Sequence, residues 1–203
     1  MEELTSMKMD VLREIGNIGA GNATTALSVM LNSNLRMEAP VVKILDFDGI
    51  PEMIGGADTI VAAVLTRFSG EVSGMMLFIL ELEEAKNLAG TMLCKTYSED
   101  FAGFDHMDKS ALKEVGNILM SSYINSIGTL TNIKFRTEPP AICVDMAGSV
   151  LSLPISQLGQ VGDKALVIDS KFLDNERPIN GFLMLATDEV SYQKIFESLG
   201  IGC

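Results

Sequence analysis

The strongest constraint on this chain is that part of it occurs twice. Asp10-Val11-Leu12-Arg13-Glu14-Ile15-Gly16-Asn17-Ile18 returns as Ser110-Ala111-Leu112-Lys113-Glu114-Val115-Gly116-Asn117-Ile118, and each copy is followed by a proline at one interval, 40−17 = 140−117 = 23 residues past its Asn. A match that keeps its spacing over that distance belongs to a folded unit rather than to a stray string. Whatever one copy builds, the other should build as well.

The halves agree again toward their ends, at a second offset of 181−74 = 107. Residues from about Ser6 to Met30 carry apolar side chains at Val11, Leu12, Ile15, Ile18, Ala26 and Met30, the spacing of an amphipathic helix. The second copy predicts a helix from about Lys109 to Ile127, with Asp108 as its N-cap. Pro40 and Pro140 open the β-type runs 41–45 and 141–144, where a proline costs no ladder donor. Further runs at 59–65 and 74–80 lead into a helical pattern at 83–93, and runs at 165–168 and 181–186 lead into one at 189–199. Each half therefore reads helix, strand, strand, strand, helix, with short turns that favour hairpins over crossovers. The fold expected is α/β of the α+β type, an apolar, mixed but mostly antiparallel sheet covered by helices with internal pseudo-twofold symmetry. Halves at about 1–96 and 108–203, joined by a polar linker at 97–107, should fuse into a single domain.

Composition narrows the function classes. With 47% hydrophobic and 21% charged residues the chain is an ordinary globular one. A net charge of −12 without a basic stripe argues against nucleic acid or an anionic membrane as partner, since both are polyanions. The longest apolar stretch, 75–80, is far too short to span a bilayer, and Met1-Glu2-Glu3 is unlike a signal peptide, so a cytoplasmic, monomeric protein is expected. Cys94, Cys143 and Cys203 are scattered and suggest buried reduced thiols. His106 is the only histidine, which removes Ser-His-Asp, Cys-His and multi-histidine metal chemistry and leaves His106 as a loop or cap residue.

The repeated motif carries polar groups at helical spacing. At about 100° per residue from Asp10, Glu14 falls near 40°, Asn17 near −20° and Gly21 near 20°. Leu12, Ile15, Gly19, Ala23 and Ala26 lie around the opposite side, which should face the sheet while the polar stripe faces solvent. The second helix repeats the plan with Ser110, Glu114, Asn117 and Ser121. Each stripe ends on a small residue, Gly21 or Ser121, leaving room for another protein to approach. A single exposed Glu is usually only solvated, but Asn inside a helix is mildly unfavourable, and its recurrence on one face asks for a reason. An exposed Glu beside a neutral Asn supplies neither the enclosed cleft nor the tuned base of a free-standing hydrolase.

Competing motifs fail on context. Gly16-Asn17-Ile18-Gly19-Ala20-Gly21 is not a dinucleotide fingerprint, because Thr24 stands where the third glycine belongs and a helix pattern precedes it; close packing of the first helix is the better account of its glycines. Asp46, Asp48, Glu52 and Asp58 lack EF-hand order and read as loop carboxylates. Asp145 stands at the end of an apolar strand-like run, a candidate strand-end or interface residue.

On these residues the chain resembles the CheC family of chemotaxis phosphatases, whose motif is Asp/Ser-x-x-x-Glu-x-x-Asn followed at fixed distance by Pro. Both copies match, from Asp10, Glu14, Asn17 and Pro40 to Ser110, Glu114, Asn117 and Pro140, and the likeness spans the whole chain. It is nearer to CheC members than to CheX-like ones with one working motif or FliY-like ones with an added switch domain. The resemblance implies a pseudo-symmetric unit with the motif helices side by side on the surface. It implies an enzyme that dephosphorylates CheY-P, with Asn17 or Asn117 orienting the attacking water and Glu14 or Glu114 pairing with the regulator's active-site Lys. No cofactor would be bound by this chain, the Mg²⁺ coming with the response regulator. CheD is the second partner implied, with Asp145 as the surface residue chosen for it. The rival reading is a non-catalytic adaptor that binds CheY-P or CheD; a structural relative of the flagellar switch is a third.

Overall fold

The computed structural model describes residues 6–31, 35–98, 100–158, 164–174 and 177–200. The described residues form six helices and eight strands. The first half runs α1 (Ser6–Leu31), β1 (Arg36–Met37), β2 (Val41–Asp46), α2 (Ile50–Met53), β3 (Ile60–Gly70), β4 (Gly74–Glu81) and α3 (Leu82–Leu93). The second runs α4 (His106–Thr131), β5 (Phe135–Thr137), β6 (Ala141–Met146), α5 (Ala147–Leu158), β7 (Lys164–Asp174), β8 (Arg177–Thr187) and α6 (Glu189–Ser198).

All the strands belong to one sheet, and every pairing among the described residues is antiparallel. Two hairpins, β3–β4 and β7–β8, meet through β4 and β8 at its centre. There Leu77 faces Met184, and these are equivalent residues at the offset 184−77 = 107, so the pseudo-twofold axis passes between them. Gly74 and Gly181, also equivalent, each leave the space an aromatic ring fills: a Cβ would come within 2.4 Å of Phe68 Cζ at one and 2.6 Å of Phe78 Cε2 at the other.

The expected run of hairpins holds for these two pairs but not for the strand that opens each half. Instead of pairing with β3, β2 lies on β7 of the other half, and β6 lies on β3. The two exchanges are alike in kind and differ in register by two residues: Leu65, opposite Leu77, faces Ala141, while its equivalent Val167, opposite Met184, faces Lys43. The connection lengths explain the difference. Between Asp46 and Ile60 lie 60−46−1 = 13 residues, including a 3₁₀ turn and α2, whereas hairpin loops have about two to five. Of the four acidic residues expected on loop, Asp46 instead ends β2, Asp48 lies in the 3₁₀ turn and Glu52 in α2, and Asp58 sits on a turn.

Helices cover both faces. α1, α3, α4 and α6 pack on the face lined by Val42, Ala62, Val64, Met76, Phe78, Leu166, Ile168 and Leu183. α2 and α5 cover the opposite face, over Val61, Ala63, Met75, Leu77, Val167 and Met184. This is why β4 is apolar almost without alternation, since it is buried on both sides. The segment 97–107 is less polar in its role than in its composition. Tyr97, Phe101 and Phe104 stack edge to face with centroids 4.9–5.9 Å apart, and Phe104 is buried. Nor is Asp108 the N-cap of α4. Asp105 caps the helix, accepting from the Asp108 amide at 2.9 Å, while the Asp108 carboxylate accepts from the Asp105 amide at 2.9 Å, a reciprocal capping box. The helix thus begins at His106, which is exposed in its first turn.

Candidate functional site

The two motif helices lie side by side on one face of the sheet. α1 is held down by Leu12, Ile15, Ala20, Ala23 and Leu27, and α4 by Leu112, Val115, Leu119, Met120, Tyr123 and Ile127, all buried. Ala26, expected on that buried side, is exposed: the apolar stripe of α1 passes through Ala23 and Leu27 and leaves Ala26 one step around the helix. The glycines set the depth of packing. A Cβ on Gly19 would stand 2.5 Å from Tyr123 Cδ1, so the Tyr123 ring occupies the space a side chain would have taken. A Cβ on Gly16 would meet Val42 Cγ2 at 3.0 Å and Pro40 Cγ at 3.2 Å, and one on Gly116 would meet Val64 at 2.7 Å. The recurring proline therefore has a physical role in the first copy: Pro40 braces the helix at the residue before Asn17. Gly21 has nothing within 4 Å of its missing Cβ, in keeping with open approach at the end of the stripe.

Glu14, Asn17 and Glu114 are exposed, and Asn117 is half-buried. Six hydroxyls in these helices are satisfied locally. Thr24, Thr25, Ser122, Ser126, Thr129 and Thr131 each donate a hydroxyl to the carbonyl four residues earlier, at 2.7–3.0 Å. Arg13 is held by Asp10 at 3.1 Å. Glu14, Asn17, Glu114 and Asn117 make no hydrogen bond or ion pair with any described residue. Their two carboxylates and two amides are left free, as are the side-chain amides of Asn22 and Asn125. An open groove of about 750 Å³ begins at Ser121 and runs between α4 and β5 past Asn125, Thr129 and Arg136. No three His, Cys, Asp or Glu side chains converge on a metal-sized site among the described residues, and no described helix is long and apolar enough to cross a membrane.

A polar clasp at the start of α4 escapes sequence inspection. Lys95 pairs with both Asp108 and Asp105, the latter at 3.2 Å, and the Tyr97 hydroxyl donates to Asp108 at 2.7 Å. Burial opposes ionisation of Asp108, but the hydrogen bonds from Lys95 and Tyr97 outweigh it and hold its carboxyl below the usual range. The bond to Asp108 raises the Lys95 ammonium, and burial pushes the Tyr97 hydroxyl up to about 12. The signal available in the sequence was Asp105-x-x-Asp108, an acidic pair at capping-box spacing. Asp145 is exposed within β6 rather than at its end, and its Oδ1 accepts from the Met146 amide at 2.8 Å. The thiol of Cys143, pushed up by burial, is half-buried, and Cys94 is exposed rather than buried; Cys203 lies outside the described residues.

The pseudo-symmetric sheet thus presents Glu and Asn side chains in duplicate, on surface helices and not in a cleft. The chain belongs to the CheC-like family, whose model matches residues 7–44 and 107–144, the motif segment of each half. It is 36% identical, over 95% of its length and 94% of the relative's, to the CheY-P phosphatase CheC of Bacillus subtilis. Among solved structures, FliY of Thermotoga maritima superposes with a TM-score of 0.74 at 20% identity, covering 98% of each chain. CheX in the CheX-CheY-BeF3-Mg²⁺ complex of Borrelia burgdorferi aligns with a TM-score of 0.53 at 19% identity, over 85% of this chain and 97% of that one. At those identities the two structures speak for the fold.

Proposed function

We propose that this chain is a phosphatase that accelerates hydrolysis of the aspartyl phosphate of CheY-P. The observation that carries the reading is that both Glu-x-x-Asn pairs are free of internal partners on packed, exposed helices. Asn17 or Asn117 enters the regulator's site and holds a water in line with phosphorus. An amide donates and accepts at once, so it can fix a water without removing its proton. Glu14 or Glu114 pairs with the regulator's active-site Lys and sets the docked geometry. The Mg²⁺ is the regulator's own. Positioning suffices because phosphoryl transfer asks little covalent chemistry of the protein and much ordering of the nucleophile. The two halves act as one duplicated domain with two such surfaces.

CheD is the proposed second partner, and Asp145, exposed on the β6 edge, is the residue assigned to that surface. Capture of CheD that is unimpaired by Asp145→Lys removes that assignment.

The main test is decay of CheY-P with substoichiometric protein and Mg²⁺. The wild-type chain should turn over many equivalents, and Asn17→Ala with Asn117→Ala should lose turnover while still binding the phosphorylated regulator. Undiminished acceleration by the double variant refutes the site. Acceleration that never exceeds one equivalent assigns the chain to the adaptor class.

A further inference from the structure

Met107 is the one large apolar side chain exposed along the second motif stripe, and it has no structural task there. It is 60% exposed in the first turn of α4. The capping box of Asp105 and Asp108 already satisfies that helix end. Seven residues before Glu114, it lies within about 20° of it around the helix, so apolar side chain, Glu and Asn succeed one another along a single line. The sequence of the first half has Met7 at the corresponding position, at the offset 107−7 = 100 that relates the two motifs. A lone exposed methionine is unremarkable. A methionine that the sequence repeats at one interval from Glu and Asn, seven residues before Glu14 and seven before Glu114, is a different observation.

Interface size turns this placement into a contact. From Met107 to Asn117 the helix advances about 15 Å. A standard interface covers about 800 Å² of each partner, a disc of roughly 16 Å radius. A regulator seated over Asn117 therefore reaches Met107 at its margin. Methionine suits such a margin, being unbranched and polarizable enough to fit an irregular surface without fixing its own shape in advance.

Resting on the reading proposed above, we infer that Met107, with Met7 as its counterpart, is an apolar anchor that docks the response regulator beside the phosphoryl site. It contributes affinity and takes no part in the hydrolytic step. Its contact is an apolar patch of the regulator's surface about 15 Å from the inserted Asn, a distance given by the helix rise.

The test uses the full chain and the regulator in its beryllofluoride-activated, Mg²⁺-bound form. Met7→Gln with Met107→Gln should raise Kd about fivefold or more, leave kcat at saturating CheY-P within about twofold, and leave the melting temperature unchanged, since Met and Gln have similar helix propensity. The corresponding Leu variant should keep wild-type affinity. Unchanged Kd in the Gln variant overturns the inference, as does equal weakening by Leu. If instead the Gln variant dissolves a dimer of this chain without altering Kd, the anchor belongs to self-association and the inference is again overturned. Oxidative footprinting of the wild-type chain reads the same contact without a variant: activated regulator should slow sulfoxide formation at Met107, and an unaltered rate refutes the contact. Normal binding by the Met variants alongside lost turnover in the Asn double variant would sink the anchor alone. Retained turnover in the Asn variant would sink the reading beneath it.

Discussion

The two motif helices carry the same polar stripe but are fixed to the protein by different means. α4 is secured at its start by a capping box and by the Lys95–Asp108–Tyr97 clasp. α1 has no acidic residue in its first turn and instead lies close, through Gly16 against Pro40 and Gly19 against Tyr123. Even the packing between them is divided unequally. Gly19 meets the Tyr123 ring, while the equivalent positions at the offset of 100 are Leu119 and Ala23, both buried. Both small residues thus lie on α1 and both large ones on α4. Duplication has kept the outward chemistry alike and let the inward volumes diverge, small on α1 and large on α4, which is what separate demands on the two faces of a helix would produce.

If the stripes are equivalent in action, Asn17→Ala and Asn117→Ala should each leave substantial turnover, and only the double variant should lose about 100-fold or more, the scale of a mispositioned nucleophile. Rates of CheY-P decay for the three variants decide the matter. A single variant as inactive as the double would break the equivalence and assign the reaction to one half.

The inward asymmetry predicts a smaller, structural effect. Gly19→Ala places a Cβ against the Tyr123 ring and should cost about 1–3 kcal/mol by overpacking. Gly19→Leu with Tyr123→Ala copies the Leu119/Ala23 arrangement onto the other side and should be more stable than Gly19→Leu alone. Denaturant unfolding of the variants measures both. Loss that is simply additive would show that the two pairs do not share one interface.

The clasp predicts an effect confined to α4 and dependent on pH. Asp108→Asn should cost about 1–3 kcal/mol near neutrality, because Lys95 and Tyr97 lose a charged acceptor. The folded-state carboxyl is held below its unfolded value, so its stabilisation is complete above the ordinary carboxylate range and vanishes as pH falls through the lowered value. Lys95 behaves oppositely: its raised ammonium stabilises fully below its ordinary range and loses that effect as pH rises through the raised value. Unfolding free energies of wild type and Asp108→Asn should therefore converge in acid. A gap that stays constant down to pH 2 would remove the charge from the account.

Much of the site was legible because its signals are local. Glu and Asn three apart in a helix must share a face, and a repeated spacing needs no tertiary knowledge to be seen. The strand runs and the central hairpins were readable for the same reason. The placement of β2 on β7 was not, because strand order depends on which edge remains open after the hairpins meet, and no local pattern encodes that. α5 was missed where Pro154, inside the helix, reads as a breaker. The clasp was missed because Lys95 and Asp108 are brought together only by the intervening aromatic segment. Asp108 marks the helix start but stands at N3, three residues past the true cap Asp105, and because both partners of this capping box are acidic the sequence does not tell them apart.

The smallest effect separates tolerance of the stripe's end from its use. Gly21 is solvent-facing in mid-helix with no neighbour for a Cβ, so Gly21→Ala should stabilise the fold by about 0.5–1 kcal/mol through helix propensity alone. Turnover should be unchanged, since Ser121 already carries a small side chain at the equivalent place. Gly21→Trp meets the same empty space in the isolated chain and should leave the fold intact, yet in an Asn117→Ala background, where only the first motif acts, it should reduce CheY-P turnover by obstructing approach. Melting temperature and decay rate then move independently, the first set by the helix and the second by what docks on it. If Trp at this position leaves the first motif's rate untouched, the partner does not pass over Gly21, and the docking surface must extend from Asn17 toward the start of the helix instead.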